Sequence, residues 1–196
     1  MPTKKLQSTD ATYIQRLEMM RSLSHHIGSS DAETNVAIGI TNEPTFVGKS
    51  TSLLSFLRSR TEDSSFELSF IVGTDTLERL VAPRYYVSEE SMISSLTRFL
   101  SPEGDNSVVV CARRELKKPS SVQDESEDAL KSARDFIDAG RVKLMDIGED
   151  ESTFSSTNVR KLVKELGVDD EGRKVWGRFV VPSVADYISN EKLYVG

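Results

Sequence analysis

An α/β chain with a parallel sheet is the fold class that this sequence predicts. Short apolar runs alternate with stretches of helical periodicity, and the runs are apolar at every position rather than every second one, as strands covered on both faces are. A hydrophobic fraction of 37% in 196 residues is enough to line one core, so a single domain over 1–196 is expected. With Lys+Arg 25 against Asp+Glu 31, the net charge is -6 and the pI about 5.1, so no global positive field draws in a nucleic-acid backbone. The longest apolar runs are strand-sized, far below the roughly 20 residues that cross a bilayer, and no apolar h-region follows Met1–Gln7. A single cysteine, Cys111, excludes an internal disulfide framework and a Cys-rich zinc site, and two adjacent histidines cannot build a metal site unaided. A soluble cytoplasmic or nuclear protein follows, with no nucleic-acid partner, no membrane segment and no protein-held metal.

From Asp10 the apolar positions Tyr13, Ile14, Leu17, Met20, Leu23 and Ile27 recur every three or four residues, predicting an amphipathic helix capped by Asp10 and closed by Gly28. Val36–Ile40 reads as a buried strand. Residues 49–60 carry Leu53, Leu54 and Leu57 on one helical face, with Ser50 as cap. Residues 66–72 form a second strand, 73–80 a turn running into a short helix, 88–100 a longer helix, and 107–113 a third strand. The polar, acidic stretch 117–128 reads as an exposed insertion leading into a helix over 127–139. A fourth strand over 142–147 and a helix over 156–166 complete the alternation. In such sheets ligands sit at the carboxyl ends of strands, which directs attention to the turns after Ile40, Val72, Arg113 and Ile147.

Gly48-Lys49-Ser50-Thr51 imitates a P-loop but fails its template, because the position five before Gly48 is Glu43, whose carboxylate would repel phosphates. Val72-Gly73-Thr74-Asp75 is a glycine at a strand end with an acid two residues on. It suits either close approach of a nucleotide, with Asp75 accepting from a ribose or base, or a tight turn in which Thr74 or Asp75 caps the next helix. In Phe154-Ser155-Ser156-Thr157-Asn158-Val159-Arg160, three hydroxyls stand with the unpaired N–H groups of a helix start, and Arg160 lies within one turn. Capping explains one hydroxyl. The helix dipole disfavours a cation in the first turn unless an anion is bound there, so a polyphosphate cradle is the competing reading. His25-His26 reads as a dipole-stabilised helix end, and Cys111 as core.

Together these segments resemble the nicotinamide mononucleotide (NMN) adenylyltransferase family of Rossmann-like nucleotidylyltransferases. Gln15-Arg16-Leu17-Glu18-Met19-Met20 looks like the family's helix after its second strand. Val72-Gly73-Thr74-Asp75 with Arg84-Tyr85-Tyr86 looks like its glycine-acid turn, Ser155-Ser156-Thr157-Asn158-Val159-Arg160 matches its Ser-Ser-Thr-x-x-Arg motif, and Val181-Pro182 with Tyr187-Ile188 and Leu193-Tyr194 matches its ending. The resemblance implies a Rossmann-like parallel sheet with helices on both faces. It assigns the ATP phosphates to Ser155, Ser156, Thr157 and Arg160, the last also bearing on catalysis, and the nucleotide site to Gly73, Asp75 and Arg113. It implies transfer of AMP from ATP to NMN, giving NAD and pyrophosphate, with Mg²⁺ held by the ATP phosphates. Two departures accompany it. The family's first strand, its Gly-Ser-Phe-Asn-Pro-type loop and its His-x-Gly-His motif have no counterpart before Tyr13, which points to an N-terminally shortened chain or one re-used without the chemistry. In the loop where the family often has Trp-Glu, Glu43 keeps an acid and Phe46 is the nearest aromatic, while Trp176 lies far along the chain. The alternatives are a non-catalytic nucleotide- or partner-binding module, an ATP hydrolase, or a transferase for another phosphorylated substrate.

Overall fold

The computed structural model describes residues 10–30, 36–61, 65–114 and 131–195. The acidic stretch 117–128 lies outside the described residues. The expectation of one domain meets a chain that divides into two compact units, one of Met1–Ile40 with Thr153–Gly196 and one of Thr41–Ser152.

The unit of Thr41–Ser152 is mixed α/β. In chain order it contains α2 (Phe46–Arg58), β1 (Leu68–Gly73), α3 (Thr74–Leu80), a 3-10 turn (Pro83–Tyr85), α4 (Glu89–Leu100), β2 (Ser107–Arg114), α5 (Arg134–Asp138), β3 (Val142–Ile147) and the single turn α6 (Glu149–Ser152). The strands form one parallel sheet of order β1-β2-β3. Phe70 pairs in register with Val109 and Val109 with Val142; two residues on, Val72 pairs with Cys111 and Cys111 with Leu144. Because strand side chains alternate between faces, these six share one face. They join a core with Leu77, Leu80, Met92, Leu96, Phe99 and Leu100. Phe46, Phe70 and Phe99 run through it as two aromatic contacts with centroids 5.6 and 5.4 Å apart. On the other face the outer strands are more open, with Ile71 78% and Met145 48% exposed, while Val108 of the central strand is buried.

At the amino end of the sheet, Arg141 ties several elements together. Its guanidinium donates to the carbonyls of Leu100 (2.6 Å) and Ser107 (2.8 Å) and to Asn106 Oδ1 (3.0 Å). One side chain thus satisfies a carbonyl left open at the end of α4 and fixes the entry into β2.

Three sequence expectations are corrected here. Val36–Ile40 is not a strand: its five residues are unpaired and exposed, Ile40 at 80%. An apolar run becomes a strand only where a neighbour takes its backbone groups, so the sheet among the described residues has three strands and not four. The helix expected from Lys49 begins at Phe46, capped by Thr45, whose hydroxyl accepts from Gly48 N at 3.0 Å. Ser50 is instead fully buried inside α2, with its hydroxyl 3.0 Å from that of Ser107. The Gly-Lys-Ser-Thr sequence is therefore helix interior, and a Cβ on Gly48 would strike the Glu43 carboxylate.

The second unit is helical among its described residues: α1 (Tyr13–Ser30), α7 (Ser156–Leu166), α8 (Asp170–Trp176), a 3-10 turn (Gly177–Phe179) and α9 (Pro182–Asn190). Its core gathers Ala11, Val159, Val163, Trp176, Ala185, Ile188 and Leu193. Trp176 is the largest fully buried side chain, and its indole N–H donates to Gly167 O at 3.0 Å. Gly167 ends α7 at φ +79°, where a side chain would be strained. Asp10 does not cap α1. Thr12 and Gln15 form a reciprocal capping box, Gln15 N donating to Thr12 Oγ1 and Thr12 N to Gln15 Oε1, which leaves Asp10 outside the cap; at the other end α1 runs past Gly28 to Ser30.

Candidate functional site

The start of α7 is built by an ordinary helix entry with an unusual first turn. Ser155 sits in extended backbone (φ -150°, ψ 144°), and its hydroxyl accepts from Asn158 N at 3.1 Å. Val159 and Val163, four apart, anchor the buried face. The first turn carries no acid, while Ser156 and Thr157 have no hydrogen-bond partner for their hydroxyls among the described residues. One hydroxyl is thus used in capping and two are left beside open N–H groups, so capping and cradle each account for part of the motif.

Arg160 folds back over this turn. Its Nε donates to Ser156 O at 3.2 Å, and its terminal nitrogen meets Asp10 Oδ1 at 3.4 Å. The unfavourable cation at a helix start therefore has an anion within the chain, a partner that the sequence did not suggest because Asp10 read as a cap. Tyr194 is close to the same charges. Burial pushes its phenol above the ordinary tyrosine range, the guanidinium groups of Arg160 and Arg16 pull it down, and the Asp10 carboxylate adds a smaller upward push. Lys192 (φ 49°) and Tyr194 (φ 64°) are both left-handed without being glycine, flanking the buried Leu193. This constrained turn at the end of the chain points Leu193 into the core and leaves Tyr194 on a cleft.

That cleft has a volume of about 360 Å³ and lies wholly within the helical unit. Ser155, Ser156, Arg160 and Tyr194 contribute its polar margin; Met19, Phe154, Phe179, Val180, Val184 and Ile188 make its apolar wall. Phe154 and Phe179 meet edge to face at 5.2 Å. Thr157 is exposed and is not among the lining residues. The apolar wall is not read from the sequence, where Val181–Ile188 with Leu193-Tyr194 stands only as a family ending; the spacing of Val184 and Ile188, four apart, is the available signal.

Gly73, Asp75 and Arg113 belong to the sheet unit, where the parallel register brings the carboxyl ends of β1 and β2 side by side, Gly73 opposite Ala112. Gly73 caps α3 with no side-chain bond, and nothing lies within 4 Å of a Cβ placed on it. Neither Thr74 nor Asp75 caps that helix; Asp75 is exposed in its first turn. Arg113 is committed to Asp146 at 2.7 Å across the β2–β3 pair. Phe46 packs on Phe70, with Lys49 Nζ 4.6 Å from its ring centroid, and Glu43 is half-buried beside Gly48. Cys111 is fully buried, and burial pushes its thiol above the ordinary range. Among the described residues no group of three or more His, Cys, Asp or Glu is placed to hold a metal ion. No described helix is long and apolar enough to cross a membrane.

No family model, curated protein or solved structure was found to match this chain.

Proposed function

We propose that this chain is a nucleotide-binding protein of the NMN adenylyltransferase type, with a Rossmann-like arrangement of sheet and helices. The observation that carries the reading is the start of α7, where Ser156, Thr157, two open backbone N–H groups and Arg160 stand on one helical turn beside a cleft. The glycine-acid turn at the carboxyl end of a parallel strand supports it independently, being where α/β sheets receive ligands.

In the reaction of this type, an oxygen of the 5′-phosphate of NMN attacks the α-phosphorus of ATP. A new P–O–P bond gives NAD, and the bond to the β-phosphate breaks to release pyrophosphate. No protein nucleophile is required, so the work falls to positioning and charge neutralisation. Arg160 and the N–H groups of α7 would hold the leaving phosphates, exchanging the Asp10 carboxylate for a phosphate oxygen.

The two histidines of the sequence are adjacent, so it contains no His-x-Gly-His motif, and we expect binding of ATP·Mg and NMN with at most trace transfer. The Asp10–Arg160 ion pair favours a second reading, a binding module without catalysis, because it already satisfies the cation. A thermal-shift titration of the full chain with ATP·Mg and with NMN, followed by an assay for NAD, tests both. A rise in melting temperature with both ligands supports nucleotide binding, and NAD formed at trace level then favours the first reading over the second. No shift with either ligand sinks nucleotide binding.

A further inference from the structure

We propose that the cleft of the helical unit binds a small organic anion with a flat or short-chain apolar body, an aromatic or medium-chain carboxylate, with its headgroup on Arg160. Met19, Phe154, Phe179, Val184 and Ile188 offer no strong hydrogen-bond donor or acceptor along the wall. A ligand part with several polar edges placed against them would lose its water without replacement, whereas a hydrocarbon or plain aromatic body gains from the same burial. The polar lining groups are Ser155, Ser156, Arg160 and Tyr194, and Arg160 brings them together, bonded to Ser156 O and close enough to Tyr194 to act on its phenol.

The charge there is complementary to an anion. Arg160 is the one charged side chain among the residues that line the cleft, and the Asp10 carboxylate that it meets at 3.4 Å is not among them. A ligand carboxylate can take the planar guanidinium in two parallel hydrogen bonds, a better geometry than the single 3.4 Å contact with Asp10. The volume of about 360 Å³ is at the small end of organic-ligand sites and suits a body of roughly 10 to 18 non-hydrogen atoms. This inference rests on the cleft's apolar wall and does not depend on the nucleotide reading.

Calorimetric titration of the full chain with 2-naphthoate and decanoate, and with the uncharged 2-naphthalenemethanol and decanol, tests it. Saturable one-site binding of an acid is expected, at least about tenfold tighter than its alcohol, a difference of about 1.4 kcal/mol. Arg160→Gln should remove that preference while leaving the circular dichroism spectrum unchanged, and Val184→Phe, which fills the wall, should abolish binding. Absence of binding by either acid overturns the proposal, as does equal affinity for acid and alcohol or undiminished affinity in Arg160→Gln. Should Val184→Phe not fold, Arg160→Gln on the half-exposed margin still decides. Binding of ATP·Mg without binding of either acid would defeat this proposal and leave the nucleotide reading standing; the converse result would do the opposite.

Discussion

The sheet unit and the helical unit hold their candidate chemistry by different means. In the sheet unit the backbone does the placing: parallel register sets Gly73 beside Ala112 and Arg113 beside Asp146, whatever the side chains. In the helical unit the margin of the cleft is set by an ion pair and a constrained turn, Arg160 held between Ser156 O and Asp10, and Tyr194 by left-handed backbone. Positions fixed by a ladder tolerate substitution of their neighbours, whereas positions fixed by packing and ion pairs move with them. The second unit should therefore be the more easily disabled.

The largest test of that contrast sets Trp176→Ala against Phe99→Ala. Both side chains are fully buried, and loss of either should cost about 3–5 kcal/mol in urea unfolding followed by circular dichroism. Trp176→Ala should cost the more, since it also orphans the Gly167 carbonyl. A smaller cost for Trp176→Ala would reverse the comparison.

Arg141→Ala comes next. It removes three hydrogen bonds from a charged donor at the amino end of the sheet, and a loss of about 2–3 kcal/mol is expected in the same assay. A loss below about 0.5 kcal/mol would mean that water replaces the clamp, as for an ordinary surface substitution.

Smaller still is the buried Ser50–Ser107 hydroxyl pair. Ser50→Ala leaves the Ser107 hydroxyl unpartnered, at a cost of about 1–2 kcal/mol; the double change to alanine should cost less than the sum of the singles, because no orphan is left. Strict additivity would show that the two hydroxyls do not depend on each other.

The smallest effect is on pH. Burial raises the Cys111 thiol and the Tyr86 and Tyr194 phenols, so the fold favours their neutral forms. The stability linked to them is whole below their ordinary values of about 9 to 10 and is lost as pH rises from there towards the raised values of the folded state. Thermal unfolding between pH 8 and 11 should show a decline that Cys111→Ala and Tyr86→Phe each reduce; a flat profile would contradict it.

How much of this was legible depended on the range of the interaction. Local apolar periodicity predicts strands over 66–72, 107–113 and 142–147 and a helix over 156–166, and the elements found there agree to within two residues at each end. Val36–Ile40 has the composition of a strand but no partner, and pairing is a property of the rest of the chain. The caps expected at Asp10 and Ser50 fall instead to the hydroxyls of Thr12 and Thr45, which lie two and five residues away and accept the first open N–H groups of α1 and α2. At the candidate site, the Ser-Ser-Thr-x-x-Arg residues were readable as a motif. The Asp10 contact spans 150 positions and the cleft wall draws on α1, α9 and the 3-10 turn before it, so neither could be read from local spacing.

The central claim is that the start of α7 receives a phosphate group through Arg160. Calorimetric titration of ATP·Mg into the full chain and into Arg160→Ala tests it most directly, with circular dichroism as the check on folding. The account predicts saturable binding by the unmodified chain and at least about tenfold weaker binding by the variant, about 1.4 kcal/mol. Equal affinity in a folded Arg160→Ala chain, or no binding by the unmodified one, would contradict it.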